Sequence, residues 1–580
     1  MQRNIQALGE REFDLLVVGG GAAGAAAARE AGLRGLSTAL IERDDFGGGT
    51  SAHCFKVVHG GIRYLQHADV RRLRASCRER AVFLRIAPHL VAPMAFAIPT
   101  YGHGRSSRWL LRAGMSVYDL LSADCNQLVL DRSRRISRTR ALTRAETLER
   151  FPSVPRERLT GAAVFEDGQM YNPPRLVLAF AAAAHALGAH IANYVEALEL
   201  LREGERVCGV AARDRLSGER FAIRARVVLN AAGPWAEALL PSRQAMPGTY
   251  SRDACFVIER AADAGMALAV QGATRDSDAV LARQARHLFL VPWRGRTLVG
   301  VWHRVVARDP DRVELTRAEL REYIAEINRA HPALALREAE VRMAGFGLVP
   351  FGAASRQRPG ALSFGKSSRI TDHRAHGLAG LVSMISVRFT VARMDAVAAL
   401  DLACAQLGQR AAQPVQATAQ SAQAAAASGS DVRPLPGGEI EDFERFAREL
   451  RARNGLAVPP ATADALARNY GTQAARVLAL AQADPTLRRC VVGTHVLRAE
   501  VVHAMRAEMA QRLGDVLFRR TDLASAGHPG TEAIEETLEL MRRELAWPAR
   551  RVSEERAAVQ DHLTRYLAPA PAAGLSARSA

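Results

Sequence analysis

The fold is decided by residues 13–42, whose sequence is FDLLVVGGGAAGAAAAREAGLRGLSTALIE. An apolar run at residues 13–18 leads into three consecutive glycines, and the alanine-rich segment after them has a high propensity for helix. A second apolar run follows at residues 37–41. This order predicts a strand, a glycine turn, a helix and a second strand, which together make one βαβ unit.

The glycines Gly19, Gly21 and Gly24 have the spacing Gly-x-Gly-x-x-Gly of dinucleotide-binding proteins. The first allows a tight turn, the second lets the backbone approach a pyrophosphate, and the third lets the helix pack close to the strand. The N-terminus of the helix then offers free N–H groups and a partial positive charge to the phosphates. Glu42 ends the second strand, where its carboxylate can accept hydrogen bonds from a ribose. The sequence therefore predicts a bound dinucleotide.

Two further glycine-containing stretches indicate a long, extended cofactor. Residues 46–51, Phe-Gly-Gly-Gly-Thr-Ser, follow the βαβ unit directly, where NAD enzymes usually begin the next helix. Residues 230–235, Asn-Ala-Ala-Gly-Pro-Trp, end another predicted strand with small residues against which a ligand can pack. Each stretch alone is typical of a turn, but together they predict more backbone contacts than a compact cofactor needs.

The rest of the chain divides at a change of composition. A hairpin is predicted at residues 287–302, and a strand at 378–384 precedes a helical pattern at 390–404. Residues 406–438 are rich in Ala, Gln, Ser and Pro, which predicts a linker. Apolar residues at three- and four-residue spacing then predict helices at residues 462–470, 473–483, 496–513 and 531–545.

Composition excludes several classes of protein. The 580 residues are 48% hydrophobic and 24% charged, which is ordinary for a globular protein. The net charge of +18 comes from arginines spread along the chain, which argues against a nucleic-acid partner. The seven cysteines form no Cys-x-x-Cys pair, so we expect neither a disulfide framework nor a metal site, and a reducing, cytoplasmic location. No signal peptide or apolar membrane span is predicted.

Several motifs resemble those of the FAD-dependent glycerol-3-phosphate dehydrogenases and oxidases, in the same order over roughly residues 13–400. The most specific is the His-Gly-Gly-x-Arg-Tyr-Leu stretch at residues 59–65. The C-terminal part is also similar to the cap domain of that family. Besides residues 19–42, the matching motifs lie at residues 48–51, 56–65, 87–90, 231–235, 291–293, 435–438 and 519–523.

The resemblance implies an α/β FAD-binding fold of the Rossmann type, similar to glutathione reductase. Its two layers include an antiparallel substrate-binding sheet, and an all-α domain follows at the C-terminus. The implied boundaries are residues 1–405 for the FAD- and substrate-binding domain, with substrate-sheet segments interleaved at about 80–215 and 245–350. A linker (406–438), a helical cap domain (439–548) and a helical extension with a disordered tail (549–580) complete the chain.

The resemblance also implies an activity. Such enzymes move a hydride from the secondary alcohol of glycerol 3-phosphate to FAD, and pass electrons to a quinone at the membrane surface or to another acceptor such as oxygen. The residues implied to hold FAD are Gly19, Gly21, Gly24, Glu42, Arg43, Thr50, Ser51, Ala232, Gly233 and Thr390.

The implied catalytic residues are His59, Arg63, Tyr64 and Arg388. An arginine offers a bidentate fork to a phosphate or carboxylate, and a histidine can accept the hydroxyl proton as hydride leaves. Two structural alternatives stay open: His59 braces the glycine turn after it, or Arg63 is an ion-pair partner.

The chain departs from the family pattern at the expected substrate pocket. Val349 stands where the family has the arginine of Gly-x-Arg-Pro, and Arg388 stands where it has the lysine of Gly-Gly-Lys-x-Thr-Thr. Trp302 and His303 fall where it has Gly-Thr-Thr-Asp, and residues 252–254, Arg-Asp-Ala, replace Lys-Gly-Ser. Losing a charged hydrogen bond costs ~1.5–3 kcal/mol, or roughly ten- to a hundredfold in affinity. We therefore expect Trp302, His303 and Val349 to form an altered pocket.

Three functional hypotheses remain open on the sequence alone. The first is oxidation of the secondary alcohol of glycerol 3-phosphate or a related compound, and glycerol 3-phosphate itself stays the substrate if other arginines compensate for Val349. The second is an amine or hydroxy-acid oxidase of the same fold with a different substrate. The third, from another class, is a flavoprotein that has lost catalysis and serves as a binding partner.

The helical C-terminal part carries no motif to which chemistry can be assigned. It either caps the active site or forms a homodimer. Its arginines lie on a solvated helix face, the alternative that base rates for charge runs favour, or on a face that contacts an anionic membrane. Those arginines include Arg498, Arg506, Arg512, Arg519 and Arg520.

Overall fold

The computed structural model describes residues 1–62, 64, 69–102, 108–241, 250–261, 265–275, 285–306, 310–350, 368–408, 429–452 and 458–569. Its strands are β1 Glu12–Val18, β2 Thr38–Glu42, β3 Val57–Val58, β4 Val91–Tyr101, β5 Arg140–Thr143, β6 Leu159–Met170, β7 His190–Asn193, β8 Val195–Glu203, β9 Arg206–Asp214, β10 Arg220–Asn230, β11 Tyr250–Ile258, β12 Ala267–Arg275, β13 Ala285–Trp293, β14 Arg296–Val306, β15 Val341–Pro350, β16 Arg369–Asp372 and β17 Leu381–Ile385. The helices before the predicted linker are α1 Ile5–Glu10, α2 Ala22–Leu33, α3 Val70–Ile86, α4 Arg108–Ser122, α5 Arg144–Arg150, α6 Pro173–Ala186, α7 Arg317–Ala330 and α8 Ala392–Gln406.

The first sheet has the strand order β16-β17-β10-β1-β2-β7, and the β8–β9 hairpin joins it through β10. Strands β17, β10, β1, β2 and β7 run parallel, as a βαβ-built sheet requires. Helix α2 connects β1 to β2, and its alanines let it pack closely: Ala25, Ala27 and Ala28 are fully buried. This sheet confirms the predicted Rossmann-type fold.

The second sheet has the order β15-β11-β14-β13-β12-β4-β6-β3, with β5 added beside β6. Its neighbours are antiparallel except for the parallel pair β12 and β4. The predicted hairpin is present as β13 and β14, with Pro292 opposite Thr297. This is the antiparallel layer that the sequence led us to expect.

Helices make up the described part of the chain beyond the predicted linker, as expected. They pack on the second sheet in one hydrophobic core, in which Tyr470, Val501 and Leu563 join Leu290 and Phe346. The helices are Phe443–Ala452, Pro460–Tyr470, Ala474–Ala483, Arg498–Ala507, Leu513–Asp515, Thr531–Glu544 and Ala549–Arg565, with a π-helical turn at Val516–Arg520.

One helix prediction in this region was too long. The pattern at residues 496–513 predicted a continuous helix, but the helix Arg498–Ala507 ends where Met509 adopts a φ of +60°. The carboxylate of Glu508 turns towards Arg175, which donates two hydrogen bonds to it at 2.8 and 2.7 Å. A contact so distant in sequence leaves no trace in the local apolar spacing.

Part of the predicted linker lies against the first domain. Residues 409–428 are outside the described residues, but residues 429–438 contact helix α2. Arg29 donates hydrogen bonds to the carbonyl oxygens of Ser430 and Arg433 at 2.9 and 2.6 Å, and Leu435 is fully buried. Within the described chain, no helix combines the length and apolarity needed to cross a membrane.

Candidate functional site

A cavity of about 530 Å³ opens at the carboxyl ends of β1, β2 and β10 and extends to the second sheet. Ligands of open α/β sheets bind at this edge. The sequence-predicted residues that line the cavity are Gly19, Gly21, Glu42, Arg43, Thr50, Ser51, His59, Tyr64, Ala232, Gly233, His303, Val349, Arg388 and Thr390.

Two glycines of the fingerprint are required by close backbone packing. Gly19 has a φ of +108°, and a Cβ atom there would lie 2.7 Å from the carbonyl oxygen of Ala231. A Cβ atom on Gly24 would overlap the carbonyl oxygen of Gly19. Gly24 does not line the cavity itself; it brings helix α2 against β1. The cradle between these elements is open because it lacks side chains.

The N-terminus of helix α2 faces into this cradle. Ala22 and Ala23 line the cavity, and the Ala22 N–H donates to the Ser51 hydroxyl at 3.0 Å. The Thr50 hydroxyl donates to the carbonyl of Leu348 at 3.2 Å, which fixes the neighbouring loop against β15. Backbone N–H groups and a helix dipole at this place suit a pyrophosphate.

Glu42 ends β2 beside the cradle. Its two carboxylate oxygens accept hydrogen bonds from the backbone N–H groups of Gly20 at 2.6 Å and Asp44 at 2.9 Å. Burial nevertheless raises the pKa of Glu42 to about 7, because desolvation outweighs these two donors. The side chain still lines the cavity, so it is placed to accept hydrogen bonds from a ligand hydroxyl.

A second wall of the cradle is built around Trp235. Arg43 lies over its indole ring at 4.8 Å, and both side chains donate hydrogen bonds to Asp311, at 2.7 and 2.8 Å. Ala232 and Gly233 line the cavity beside this wall. The open cradle, the helix N-terminus, the hydroxyls and the carboxylate together fit an extended dinucleotide.

The predicted catalytic residues lie together at the other end of the cavity. Arg388 donates hydrogen bonds to the Tyr64 hydroxyl at 2.7 Å and to the Ser76 hydroxyl at 3.2 Å. The backbone N–H of His59 donates to the Thr390 hydroxyl at 3.2 Å, and the ring centroids of His59 and Tyr64 are 6.2 Å apart. The predicted residue Arg63 lies outside the described residues.

A buried carboxylate, which no motif of the sequence indicated, holds the glycine turn after His59. Asp167 on β6 lines the cavity and accepts hydrogen bonds from the Gly60 N–H at 2.6 Å and from Arg80 at 2.7 Å. Burial raises the pKa of Asp167, and the guanidinium of Arg80 opposes that effect. A lone aspartate in a strand has no motif by which it could have been found.

His303 faces the cavity with a partner that the sequence reasoning missed. His303 on β14 is opposite Asp253 on β11, and its Nδ1 lies 2.7 Å from a carboxylate oxygen of Asp253. Val349 on β15 also lines the cavity, two positions beyond Gly347, the residue opposite Asp253. The altered segment 252–254 noted above was the available signal. Its neighbour Arg252 instead pairs with Glu319 at 2.8 Å.

The prediction that Trp302 lines the pocket is wrong. Successive residues of a strand point to opposite faces, and on β14 it is Val301 and His303 that face the cavity. Trp302 stacks on Tyr323 of α7 at 4.6 Å and donates a hydrogen bond to Glu326 at 2.9 Å. It belongs to the core behind the sheet.

Two further basic side chains of β13 line the cavity and were not predicted. Arg286 is only 7% exposed, and His287 lies beside it. With Arg388, the buried Arg286 gives this end of the cavity a cationic character. Among the described residues no cluster of three or more His, Cys, Asp or Glu side chains is suited to a metal ion.

Sequence comparison finds two matching families. The profile described as "FAD dependent oxidoreductase" matches residues 14–384. The profile described as "C-terminal domain of alpha-glycerophosphate oxidase" matches residues 428–552.

Similar proteins match over nearly the whole chain. A glycerol-3-phosphate dehydrogenase of Synechocystis sp. is 31% identical, over 90% of this chain and 91% of that protein. The mitochondrial glycerol-3-phosphate dehydrogenase of Mus musculus is 30% identical, over 94% of this chain and 72% of that protein. The crystal structure of glycerol-3-phosphate dehydrogenase from Bacillus halodurans, complexed with FAD, has a TM-score of 0.72 and 23% identity, and each chain is covered to 97%. That structure shows the same fold.

Proposed function

The chain belongs to the FAD-dependent glycerol-3-phosphate dehydrogenase family, and on this premise we propose that it oxidises the secondary alcohol of glycerol 3-phosphate. It is an FAD-dependent oxidoreductase. The observation that carries the proposal is the continuous cavity, which joins a dinucleotide cradle to an end that contains His59, Tyr64 and Arg388.

The residues proposed to hold FAD are those that build the cradle. The N-terminus of α2, with Gly19, Gly21 and the Ser51 hydroxyl beside it, is placed to receive the pyrophosphate. Glu42 is placed to accept hydrogen bonds from the ribose, and Gly24 acts by bringing α2 close. Arg43, Thr50, Ala232, Gly233 and Thr390 line or fix the remaining walls.

The reaction needs a group that takes a proton and a group that holds an anion. When bound, FAD supplies the hydride acceptor. We assign proton removal from the substrate hydroxyl to His59, whose backbone is fixed by Thr390. Arg388, held by Tyr64 and Ser76, together with Arg286 is assigned to the phosphate, because a guanidinium binds phosphate oxygens in a fork. Arg63 is kept as a proposed phosphate ligand on the resemblance alone.

The proposal is tested by anaerobic reduction of the purified holoprotein. Glycerol 3-phosphate should bleach the flavin absorbance near ~450 nm, whereas glycerol, which lacks the phosphate, should do so far more slowly. Equal rates with both compounds would contradict the assignment of Arg388 and Arg286 to an anion. A flavin that stays oxidised with glycerol 3-phosphate would contradict the proposal that this compound is the substrate.

A second candidate function is favoured by Val349. It lines the cavity where the resemblance places a substrate-binding arginine, so the pocket is more apolar there. An amine or hydroxy-acid oxidase acting on a compound with a carboxylate and an apolar part would suit this change. Bleaching by such a compound and not by glycerol 3-phosphate would decide for it. A flavin that no metabolite reduces would favour the third hypothesis, a non-catalytic binding partner.

We also propose an electron acceptor and a location for the protein, on the same basis of family membership. Electrons are passed to a quinone or to another acceptor, from a protein in the cytoplasm that contacts the inner face of the membrane peripherally. The net charge of +18 supports attraction to anionic lipid. Turnover with a soluble quinone analogue but not with oxygen, and flotation with anionic liposomes that salt reverses, would support both parts. Sedimentation at graded concentrations tests whether the chain forms a homodimer, the alternative to a capping role for the C-terminal helices.

A further inference from the structure

Two arginines expected on a solvated helix face or at a membrane are instead buried beneath the cofactor cradle. Arg519 and Arg520 end the π-helical turn Val516–Arg520, and their side chains are 11% and 0% exposed. Arg519 donates to one carboxylate oxygen of Asp45 at 2.6 Å. Arg520 donates to both carboxylate oxygens, at 2.6 and 2.7 Å. The expectation failed because the helical pattern carries no information about a partner 474 residues away.

Asp45 is at the base of the loop that forms one side of the cradle. This loop, residues 43–51, contains neither helix nor strand, and Gly47, Gly48 and Gly49 of it line the cavity. Asp45 does not line the cavity; its backbone carbonyl accepts a hydrogen bond from the Gly48 N–H at 2.9 Å. Its carboxylate also accepts from Asn193 at 3.0 Å. A loop with so few backbone bonds of its own depends on such side-chain anchors for its shape.

The charges around Asp45 favour a fixed arrangement. Burial would raise the pKa of Asp45, but the guanidinium groups of Arg520 and Arg519 outweigh it and lower the pKa to about 2. Arg519 also donates a hydrogen bond to Asp515 at 2.5 Å, and the Tyr194 hydroxyl donates to the same carboxylate oxygen at 2.5 Å. Removing one member of a buried ion pair leaves the other charge without compensation, which strongly disfavours the arrangement.

The residues just beyond these arginines contact the second sheet. Asp522 is fully buried, pairs with Arg294 at 3.0 Å and accepts a hydrogen bond from the Tyr171 hydroxyl at 2.7 Å. Arg294 also donates to the Ser525 hydroxyl at 2.6 Å. Residues 519–525, here named the tongue, therefore bind the cofactor loop at one end and the β13–β14 hairpin at the other.

We propose that Arg519 and Arg520 of the C-terminal helical region set the shape of the cofactor loop through Asp45. Asp45, Arg519 and Arg520 are then positioning residues for FAD. The helical region is accordingly part of the cofactor site, although none of these three side chains lines the cavity. The inference rests on the proposal that the cradle binds FAD, and it does not depend on which substrate is oxidised.

The test measures FAD binding to the full-length apoprotein by quenching of flavin fluorescence. Arg520→Met and Asp45→Asn should weaken FAD binding by about ten- to a hundredfold, the range for losing charge-assisted hydrogen bonds. Both should also change the visible circular dichroism of the flavin that remains bound, because the loop around it has shifted. Arg520→Lys keeps the charge and should recover part of the affinity.

Arg294→Met is the matched control. It breaks a buried ion pair of the same tongue, at the end that does not contact the cofactor loop. It should lower the melting temperature of the apoprotein while leaving the FAD dissociation constant within about threefold of the wild type. If Arg520→Met fails to fold, Arg519→Met replaces it in the test. Arg520 still pairs with Asp45 in Arg519→Met, and this variant should also weaken FAD binding.

Two results would overturn the proposal. One is wild-type FAD affinity in Asp45→Asn and in whichever arginine variants fold. The other is an equal loss of affinity in Arg294→Met, which would reduce the tongue to general stability. Failure of glycerol 3-phosphate to reduce the flavin would leave these binding measurements unchanged, so the two proposals fail independently.

Discussion

The two ends of the cavity are built in opposite ways. The cradle for the dinucleotide comes largely from one continuous stretch, β1, α2, β2 and the loop to Ser51. The cationic end takes residues from strands and turns between His59 and Thr390, brought together by the second sheet and the loop after β17. A local motif therefore specifies the first end, whereas only the tertiary fold assembles the second.

This difference has a consequence for evolution of specificity. The cradle tolerates little change, because its glycines are fixed by contacts between backbones. The substrate end presents side chains from β11, β13, β14 and β15, and each can change without disturbing the backbone ladder. Several departures from the family pattern, Val349, His303 and Arg388 among them, line the cavity at this second end.

The largest effect is expected from Gly24→Ala. Its Cβ atom would overlap the Gly19 carbonyl oxygen, so α2 must move away from β1 and the cradle must open. We expect FAD binding to weaken by about a hundredfold or more, so that the protein is purified without yellow colour. Gly114→Ala is the control, since a Cβ atom there meets nothing within 4 Å. Normal flavin content in Gly24→Ala would contradict the statement that the cradle depends on close packing of α2 against β1.

Arg388→Met should act at the other end alone. It removes the guanidinium that Tyr64 and Ser76 hold in the cavity, while the cradle is untouched. We expect kcat/KM to fall by roughly ten- to a hundredfold, mainly through KM, with FAD binding unchanged. Arg388→Lys, which restores the residue type of the family pattern, should retain more activity. A loss of flavin from Arg388→Met would show that the two ends are not separable.

His303 and Trp302 are neighbours on β14, but only His303 faces the cavity, so substitutions at the two positions should have different effects. His303→Asn should lower kcat/KM by about tenfold, because His303 and its partner Asp253 face the substrate end. Trp302→Phe should leave kcat/KM within about twofold but lower stability by about 1–2 kcal/mol, because it loses the hydrogen bond to Glu326 and part of the stack on Tyr323. Thermal unfolding and steady-state kinetics on both variants measure this; reversed effects would contradict the assigned faces.

The smallest effect concerns the pH dependence of FAD binding. Burial raises the pKa of Glu42 to about 7, so the apoprotein holds this side chain neutral below pH 7. The stability that the neutral carboxyl contributes to the apoprotein is lost as the pH rises through 7. Ribose hydroxyls that donate to the carboxylate would lower this pKa, so binding releases a proton. FAD affinity should rise by up to about tenfold as the pH approaches 7 and then level off. In Glu42→Gln the pH dependence should disappear; its persistence would assign it to another group.

The sequence predicted more of the residues at the cradle end of the cavity than at the substrate end, and the reasons are physical. The cradle residues were accessible because turn, helix and strand follow one another in a fixed spacing. Asp167 and Arg286 were missed because neither belongs to a motif, and a single strand residue has no local signature of its own. Trp302 was a different kind of error: two adjacent strand residues cannot both face one cavity, so choosing His303 should have excluded it.

Long-range contacts explain what else was missed in the C-terminal region. Helical periodicity located four of the helices there, with the exception that the third ends before Met509 and not at residue 513. It could not show that Arg519 and Arg520 turn inward to Asp45, since a charged residue on a helix is usually solvated. Buried charges of this kind become visible only when the partner carboxylate is seen beside them.

Oxidation of glycerol 3-phosphate by the bound flavin is tested by anaerobic stopped-flow reduction with substrate that carries deuterium at carbon 2. We expect the flavin to bleach, deuterium to slow the bleaching severalfold, and Arg388→Met to require a higher substrate concentration for the same rate. An oxidised flavin at all concentrations, or bleaching without any isotope effect at saturation and at limiting substrate, would contradict oxidation of this alcohol at the site described.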